Sequence, residues 1–341
     1  MKLSFSPFLF ASLFFCLIDH AKGAETIHPG CIFPCNQLEE YSPLTGRILK
    51  IRVYLEGALM NSPAEFSNDG RRLMRDDLRI SPFDGQNYIP VNDPYQTTVK
   101  FVDLSVSNEH VGLGSSPELS TIADSAGVFG LTGANAIVDW VFVEIRSSAD
   151  NKEVIATRSG LLQRDGDIVD VDGVSDLNFP DLNAESFFVV VRHRNHLGAM
   201  TQLVTGNDLI DFTSSQTPVF DFGTSLNPIY DYSGTAMNGG YFNVRALWAG
   251  DFNADLVIRC DPPGDDHNIL IIENAKYSEQ NMFYNGVIGY FQGDYDLNSK
   301  VKYDNPNDDK NLLFSQLKLY SLNTELLSNF YYFTEQVPRR N

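Results

Sequence analysis

Residues 250–270 and 293–313 align without a gap at an offset of 43. Asp251 falls on Asp294, Asn253 on Asp296, Asp255 on Asn298, Asp261 on Asp304, Pro263 on Pro306, Asp265 on Asp308, Asp266 on Asp309 and Leu270 on Leu313. A duplication of this kind restricts what the C-terminal part can fold into, because both copies must bring the same side chains to the same places. A carboxylate or amide at positions 1, 3 and 5 opens an EF-hand-type calcium loop, to which position 7 adds only a backbone carbonyl. Here position 7 is Val257 in the first copy and Lys300 in the second. The rest departs from an EF-hand. Position 12, normally a bidentate Glu, is Pro262 and Asn305, and the next acids are Asp265-Asp266 and Asp308-Asp309. The spacing therefore predicts two enlarged loops, each closed by one acid of its pair, with Ile269-Leu270 and Leu312-Leu313 opening a short helix behind. Position 6 normally needs Gly for a sharp turn. It is Leu256 and Ser299, which makes the first loop the poorer of two expected calcium sites. The competing reading is a pair of acidic turns that hold no ion.

The N-terminus has the parts of a cleavable secretory signal over residues 1–23: Lys2, an apolar run from Leu3 to Ile18, and small residues Ala21 and Gly23 before Ala24. The run is too short for a membrane span, and no later stretch is long and apolar enough for one. Phe15 before Cys16 argues against a lipid anchor. Cleavage leaves Cys31, Cys35 and Cys260. Cys31 and Cys35 flank a tripeptide and could close a local disulfide in an oxidising compartment, or stay reduced, and Cys260 is then unpaired. The formal net charge of −19 offers no basic field for a phosphate backbone, so nucleic acid is not an expected partner.

The middle of the chain alternates. Residues 50–56 and 139–146 are apolar and polar in turn, with Val141, Val143 and Ile145 on one face, as half-buried strands require. Further strands are expected over 153–162, 167–171, 186–193 and 208–212, with Asp165-Gly166 and Asp172-Gly173 among the turn signals. Residues 187–191 are apolar on both faces, which predicts a central strand. Short antiparallel strands at this spacing point to a β-sandwich over 46–213, with long excursions at 61–95 and 104–130. Two polar runs attract notice there. His193 and His196, three apart, would face opposite sides of a strand, which suits joint chelation poorly. The run 192–196 reads better as a strand end and turn whose polar side chains bond to neighbouring loops, or as a ligand-contacting rim. Asp165 and Asp167 could hold a cation, but they flank a strand and read better as turn residues. No nucleophile-elbow, zinc-protease or phosphate-loop motif is present, so a hydrolase is the least supported class and the expectation is a protein that is not an enzyme.

Several ordered segments carry a resemblance: residues 133–151 (GANAIVDWVFVEIRSSADN), 156–173 (ATRSGLLQRDGDIVDVDG), 189–201 (VVVRHRNHLGAMT), Ile210 to Thr213, 246–255 (ALWAGDFNAD) and 302–313 (KYDNPNDDKNLL). Together with Val53 to Gly57 and Met74 to Arg79, they resemble a family of secreted Bacteroidetes proteins labelled hemagglutinin or adhesin, over roughly residues 50–335. The resemblance implies a mainly β protein: an antiparallel β-sandwich followed by a small dockerin-like, EF-hand-like calcium module. The organisation expected is a signal peptide at 1–23, a Cys-containing segment at 24–45, the sandwich at 46–213, a linker at 214–244 and the module at 245–341. The metal set expected is Asp251, Asn253, Asp255, Val257, Asp265 and Asp266, then Asp294, Asp296, Asn298, Lys300, Asp308 and Asp309. The expected function is calcium-stabilised adhesion or carbohydrate binding outside the cell, with a glycan or extracellular protein as partner. The alternative is an assembly component that uses the dockerin-like module as its interaction element.

Overall fold

The computed structural model describes residues 46–60, 64–96, 109–206, 208–222, 238–241, 244–261, 265–267, 286–303, 308–320, 323–327 and 331–340. The expected signal peptide, the Cys31–Cys35 pair, most of the 214–244 linker and the Ile269-Leu270 helix start lie outside these residues.

The protein is mainly β, built on a curled sheet. Strands β1 (Arg47–Leu49), β2 (Ile51–Arg52), β3 (Ile137–Ser147), β4 (Val154–Gln163), β5 (Asp167–Val169), β6 (Leu177–Phe179), β7 (Ser186–His193), β8 (His196–Met200), β9 (Val204–Thr205) and β10 (Ile210–Asp211) come first. Eight of them form one sheet in the order β10-β2-β5-β4-β3-β7-β8, with β9 also on β7, and β1 pairs with β6 separately. All neighbours in the eight-stranded sheet are antiparallel except β10 on β2. The segment 187–191 is interior as its pattern requires: β7 has β3 on one side and β8 and β9 on the other.

Strand β3 is buried along both faces, not one. Val141, Val143 and Ile145 join the main core. The opposite face is covered by the two excursions. Trp140 Nε1 donates to the Pro90 carbonyl (2.8 Å), and Phe142 packs on Tyr95 and His110. Farther along that face the C-terminal tail supplies Glu335 and Arg340 to a buried ionic cluster. Glu144 accepts from Arg146 (2.7 Å), Arg192 (3.0 Å) and Arg340 (3.0 Å), and Arg192 also binds Glu335 (2.6 Å). Burial works to raise the Glu144 pKa, but the three guanidinium charges overcome it and hold it at about 2.

The strand expected over 50–56 ends early. After Arg52 the chain reaches an isolated bridge at Leu55 and turns into a short helix, Glu56–Leu59. The turn places Gly57 against the second acidic loop, so closely that a Cβ there would fall on the Tyr295 carbonyl oxygen. Only glycine permits that approach.

The remaining strands are two-stranded pairs: β11 (Asn238–Tyr241) with β12 (Val244–Ala246), β13 (Val257–Arg259) with β16 (Tyr332–Thr334), and β14 (Val287–Ile288) with β15 (Lys300–Val301). A second core joins the last two of these pairs. Trp248, Ile258, Tyr295, Val301, Phe333 and the helix Asp309–Leu319, through Leu312, Leu313 and Leu317, pack together with Leu197 of β8. Tyr320 stacks on Phe333 with centroids 4.0 Å apart. Cys260 is a buried free thiol within that core. Residues Leu44 to Asn341 pack as one unit, and among the described residues no helix is long and apolar enough to cross a membrane.

Candidate metal centre

The duplication in sequence is a duplication in backbone. Positions 4 and 6 of both copies adopt the left-handed conformation: Ala254 (φ 56°) and Leu256 (67°) in the first, Leu297 (55°) and Ser299 (69°) in the second. Two such residues two apart fold the chain back on itself and turn its amides inward. The carboxylate at position 1 receives the amide of position 6 in each copy, Asp251 from Leu256 (3.3 Å) and Asp294 from Ser299 (2.9 Å). The acid at position 16 clamps both ends of the loop. Asp266 accepts the amides of Phe252 (2.8 Å) and Arg259 (2.9 Å), and Asp309 accepts those of Tyr295 (2.8 Å) and Lys302 (2.8 Å).

The second acid of each pair thus closes the loop, and the first starts the segment behind it. Asp308 is the N-cap of the helix Asp309–Leu319 and accepts the Asn311 amide (2.6 Å). Asp265 is buried and immediately precedes the helical residues 266–267, the equivalent place. Neither pair brings both acids to one point.

In the second loop Asp294, Asp296 and Asp309 converge. One carboxylate oxygen from each lies within 4.8 Å of the others, and all three side chains are buried. Burial and the charge of Asp296 raise the Asp294 pKa well above the usual carboxylate range, and burial with the charges of Asp296 and Asp294 does the same to Asp309. Burial also raises Asp296, offset by the guanidinium of Arg75, whose Nη1 sits 2.7 Å from its Oδ2. Crowded carboxylates of this kind could hold a metal ion, and a divalent ion would reverse the sign of their mutual repulsion. Position 5, Asn298, keeps its Oδ1 buried without a hydrogen-bond donor, as a cation ligand would.

In the first loop Asn253 Oδ1 accepts the Asp255 amide (2.9 Å), and Asp255 accepts the Val257 amide (3.0 Å) while pairing with Arg259 (3.1 Å). The orphan oxygen here belongs to Asp251, which is 3% exposed and whose Oδ1 has no donor. Burial and the nearby Asp266, Asp255 and Glu335 charges raise its pKa well above the ordinary value, and burial does the same to Asp266. Val257 and Lys300, expected to offer carbonyls, are the first residues of β13 and β15, one step beyond the turn.

Side chains far away in sequence fasten the loops to the sheet. The β7–β8 hairpin points at the second loop: Asn195 Nδ2 donates to the carbonyls of Gln292 (2.8 Å) and Asp294 (2.8 Å). Arg75 binds Asp296, and the Glu335 amide donates to the Leu256 carbonyl (2.9 Å). At separations of 99, 221 and 79 residues, nothing in local pattern announces these contacts.

Other polar groups resolve differently. His193 and His196 are cross-strand partners at a two-residue turn, so their rings meet, with Nδ1 atoms 3.0 Å apart. The run is the strand end and turn expected, bonded to a neighbouring loop through Asn195, but the two rings do not face apart as positions three apart on a strand would. Their Nε2 atoms are occupied by Asp139 (3.0 Å) and the Gly57 amide (3.3 Å), and burial lowers both pKa values, so they are neutral at pH 7. Asp165 and Asp167 bind Arg71 (2.8 Å) and Arg52 (2.6 Å). Sequence reading missed a buried Asp93–His110–Ser159 group. Asp93 Oδ2 (2.6 Å) and Ser159 Oγ (3.3 Å) approach the same His110 nitrogen, whereas nucleophile activation needs the serine and the acid on opposite ring nitrogens.

Comparison with known proteins finds no matching family model, no similar curated protein and no similar solved structure.

Proposed function

We propose that this chain is a secreted or cell-surface binding protein of the adhesin kind, stabilised by calcium in its two acidic loops. The observation that carries the reading is the repeated set of amide-to-carboxylate bonds at an offset of 43, ending in the buried Asp294, Asp296 and Asp309 triad. Hard oxygens in a many-ligand turn suit calcium, whereas magnesium demands a small octahedral shell and retains its waters. Extracellular calcium modules work at about 10⁻⁴–10⁻³ M, which matches an exported protein. The second loop is the stronger site, since three of its carboxylates converge.

The curled sheet then acts as one wall of a sandwich-type β domain, and residues 245–341 as a dockerin-like module turned to an internal use. Loops on a rigid scaffold suit recognition of a glycan or an extracellular protein. The assembly reading is less favoured because the loops already engage the rest of the protein through Asn195 of the β7–β8 hairpin, Arg75 and Glu335. Catalysis is not proposed, since His110 meets its serine and its acid at one nitrogen. A glycan array probed with the full chain in calcium and in chelator tests the function. Calcium-dependent glycan binding supports it. Retained calcium binding with no glycan or cell-surface binding refutes the adhesin reading.

A further inference from the structure

The first acidic loop borders a cleft of about 330 Å³ whose lining includes Phe222, Leu256, Val257 and Val337. The volume is at the small end of ligand pockets, about 300–1,000 Å³, and the apolar lining is typical of them. Four charged side chains also border it. Asp255 is paired with Arg259 (3.1 Å), and Glu335 is held by Arg192 (2.6 Å) and the Gly198 amide (2.7 Å). Lys152, from the β3–β4 turn, and Arg339, from the tail, have no acidic partner among the described residues. In a chain of net charge −19, the cleft therefore has two exposed, uncommitted cations at its edge.

Leu256 is the second observation. It occupies the position where a calcium loop prefers Gly, at φ 67°, a conformation that costs a branched residue about 1–2 kcal/mol. Its counterpart Ser299, at φ 69°, uses its side chain locally, hydrogen-bonding Ser81 Oγ (2.8 Å). Leu256 instead is one of the residues lining the cleft. Both loops carry this strain, but among the four strained loop residues only Leu256 also lines the cleft.

We propose that this cleft binds a small organic carboxylate with an apolar body of one ring or a short chain. Lys152 and Arg339 hold the carboxylate, and Leu256, Val257, Phe222 and Val337 enclose the body. The cleft adjoins the first acidic loop through Asp255, Leu256 and Val257 but does not include the Asp294, Asp296 and Asp309 triad, and the proposal stands whether or not the glycan reading holds.

The test is calorimetric titration of the full chain, in saturating calcium, with 4-phenylbutyrate, octanoate and the uncharged 4-phenylbutanol. At least one carboxylate should bind saturably, roughly tenfold or more tighter than the alcohol, as a charge-assisted contact gives. Arg339→Gln and Lys152→Gln should each weaken it severalfold with melting unchanged. Leu256→Gly should weaken it roughly tenfold while calcium affinity is kept or improved, which separates failure of the cleft from failure of the loop. The proposal is overturned by absence of saturable binding up to about 10 mM, by equal affinity for acid and alcohol, or by indifference to both Arg339→Gln and Leu256→Gly.

Discussion

Replacing Glu144 with Gln changes one oxygen for one nitrogen in the buried cluster that ties the C-terminal tail to the sheet. In the native protein two carboxylates, Glu144 and Glu335, face three guanidinium groups, Arg146, Arg192 and Arg340. Glu144 alone accepts from all three. Gln would leave three arginines against one carboxylate and turn an amide N–H₂ toward donors. Breaking a buried ion pair from one side costs about 3–5 kcal/mol. The depressed pKa agrees in order of magnitude: a carboxyl held at about 2 instead of 4.5 contributes roughly 3 kcal/mol at neutral pH. The sign is that of a depressed carboxyl, so this stability is present above about pH 4.5 and lost as pH falls toward 2. For a chain of this size, 3–5 kcal/mol lowers the melting temperature by roughly 4–8 °C. Thermal denaturation at pH 7 measures it, and repeating the melt at pH 3 should shrink the difference between the two proteins. A cost below about 1 kcal/mol at pH 7 would refute the assignment of the cluster as the clamp on the tail.

Three further outcomes follow from the loops. Asp309→Asn should abolish most of the calcium-induced rise in melting, about 2.7 kcal/mol at a hundredfold excess over Kd, whereas Asp308→Asn should keep the calcium response and cost only about 1 kcal/mol as a weakened helix cap; melts with calcium and with chelator separate the two. In chelator, the raised carboxyls of Asp294, Asp309, Asp251 and Asp266 contribute stability that is full below about pH 4 and lost as pH rises, so urea midpoints should fall from pH 4 to 7 without calcium and the fall should be suppressed with it. Asn195→Ala should weaken calcium binding severalfold through the lost Asp294 carbonyl contact, with the sheet's far-ultraviolet circular dichroism unchanged; unchanged affinity would show that the hairpin does not position the loop.

The acidic loops were legible because their geometry depends on particular side chains at particular positions, and duplication displays the constraint twice. Which acid closes each loop was not, because helix capping and loop closure both call for Asp: only the helix start shows that Asp308 caps and Asp309 turns inward. Alternation revealed β3 and the apolar run revealed β7, but alternation assumes that one face meets water. Here the excursions and the tail cover that face, so Glu144 and Arg146 are buried. The strand expected at 50–56 ends early because Gly57 must meet a carbonyl 238 residues away, a tertiary demand with no local signature. The strand end and turn at 192–196 was legible, but the facing of its two histidines was misjudged for a simpler reason: residues three apart diverge along a strand but meet across a two-residue turn.

Calcium titration of the full chain by isothermal calorimetry, with Asp294→Asn and Asp251→Asn beside it, bears most directly on the calcium-stabilised reading. Saturable calcium binding is expected, poorly replaced by magnesium and reduced more by Asp294→Asn than by Asp251→Asn, since the buried triad belongs to the second loop. No calcium binding up to millimolar concentration would contradict it and leave both loops as acidic turns.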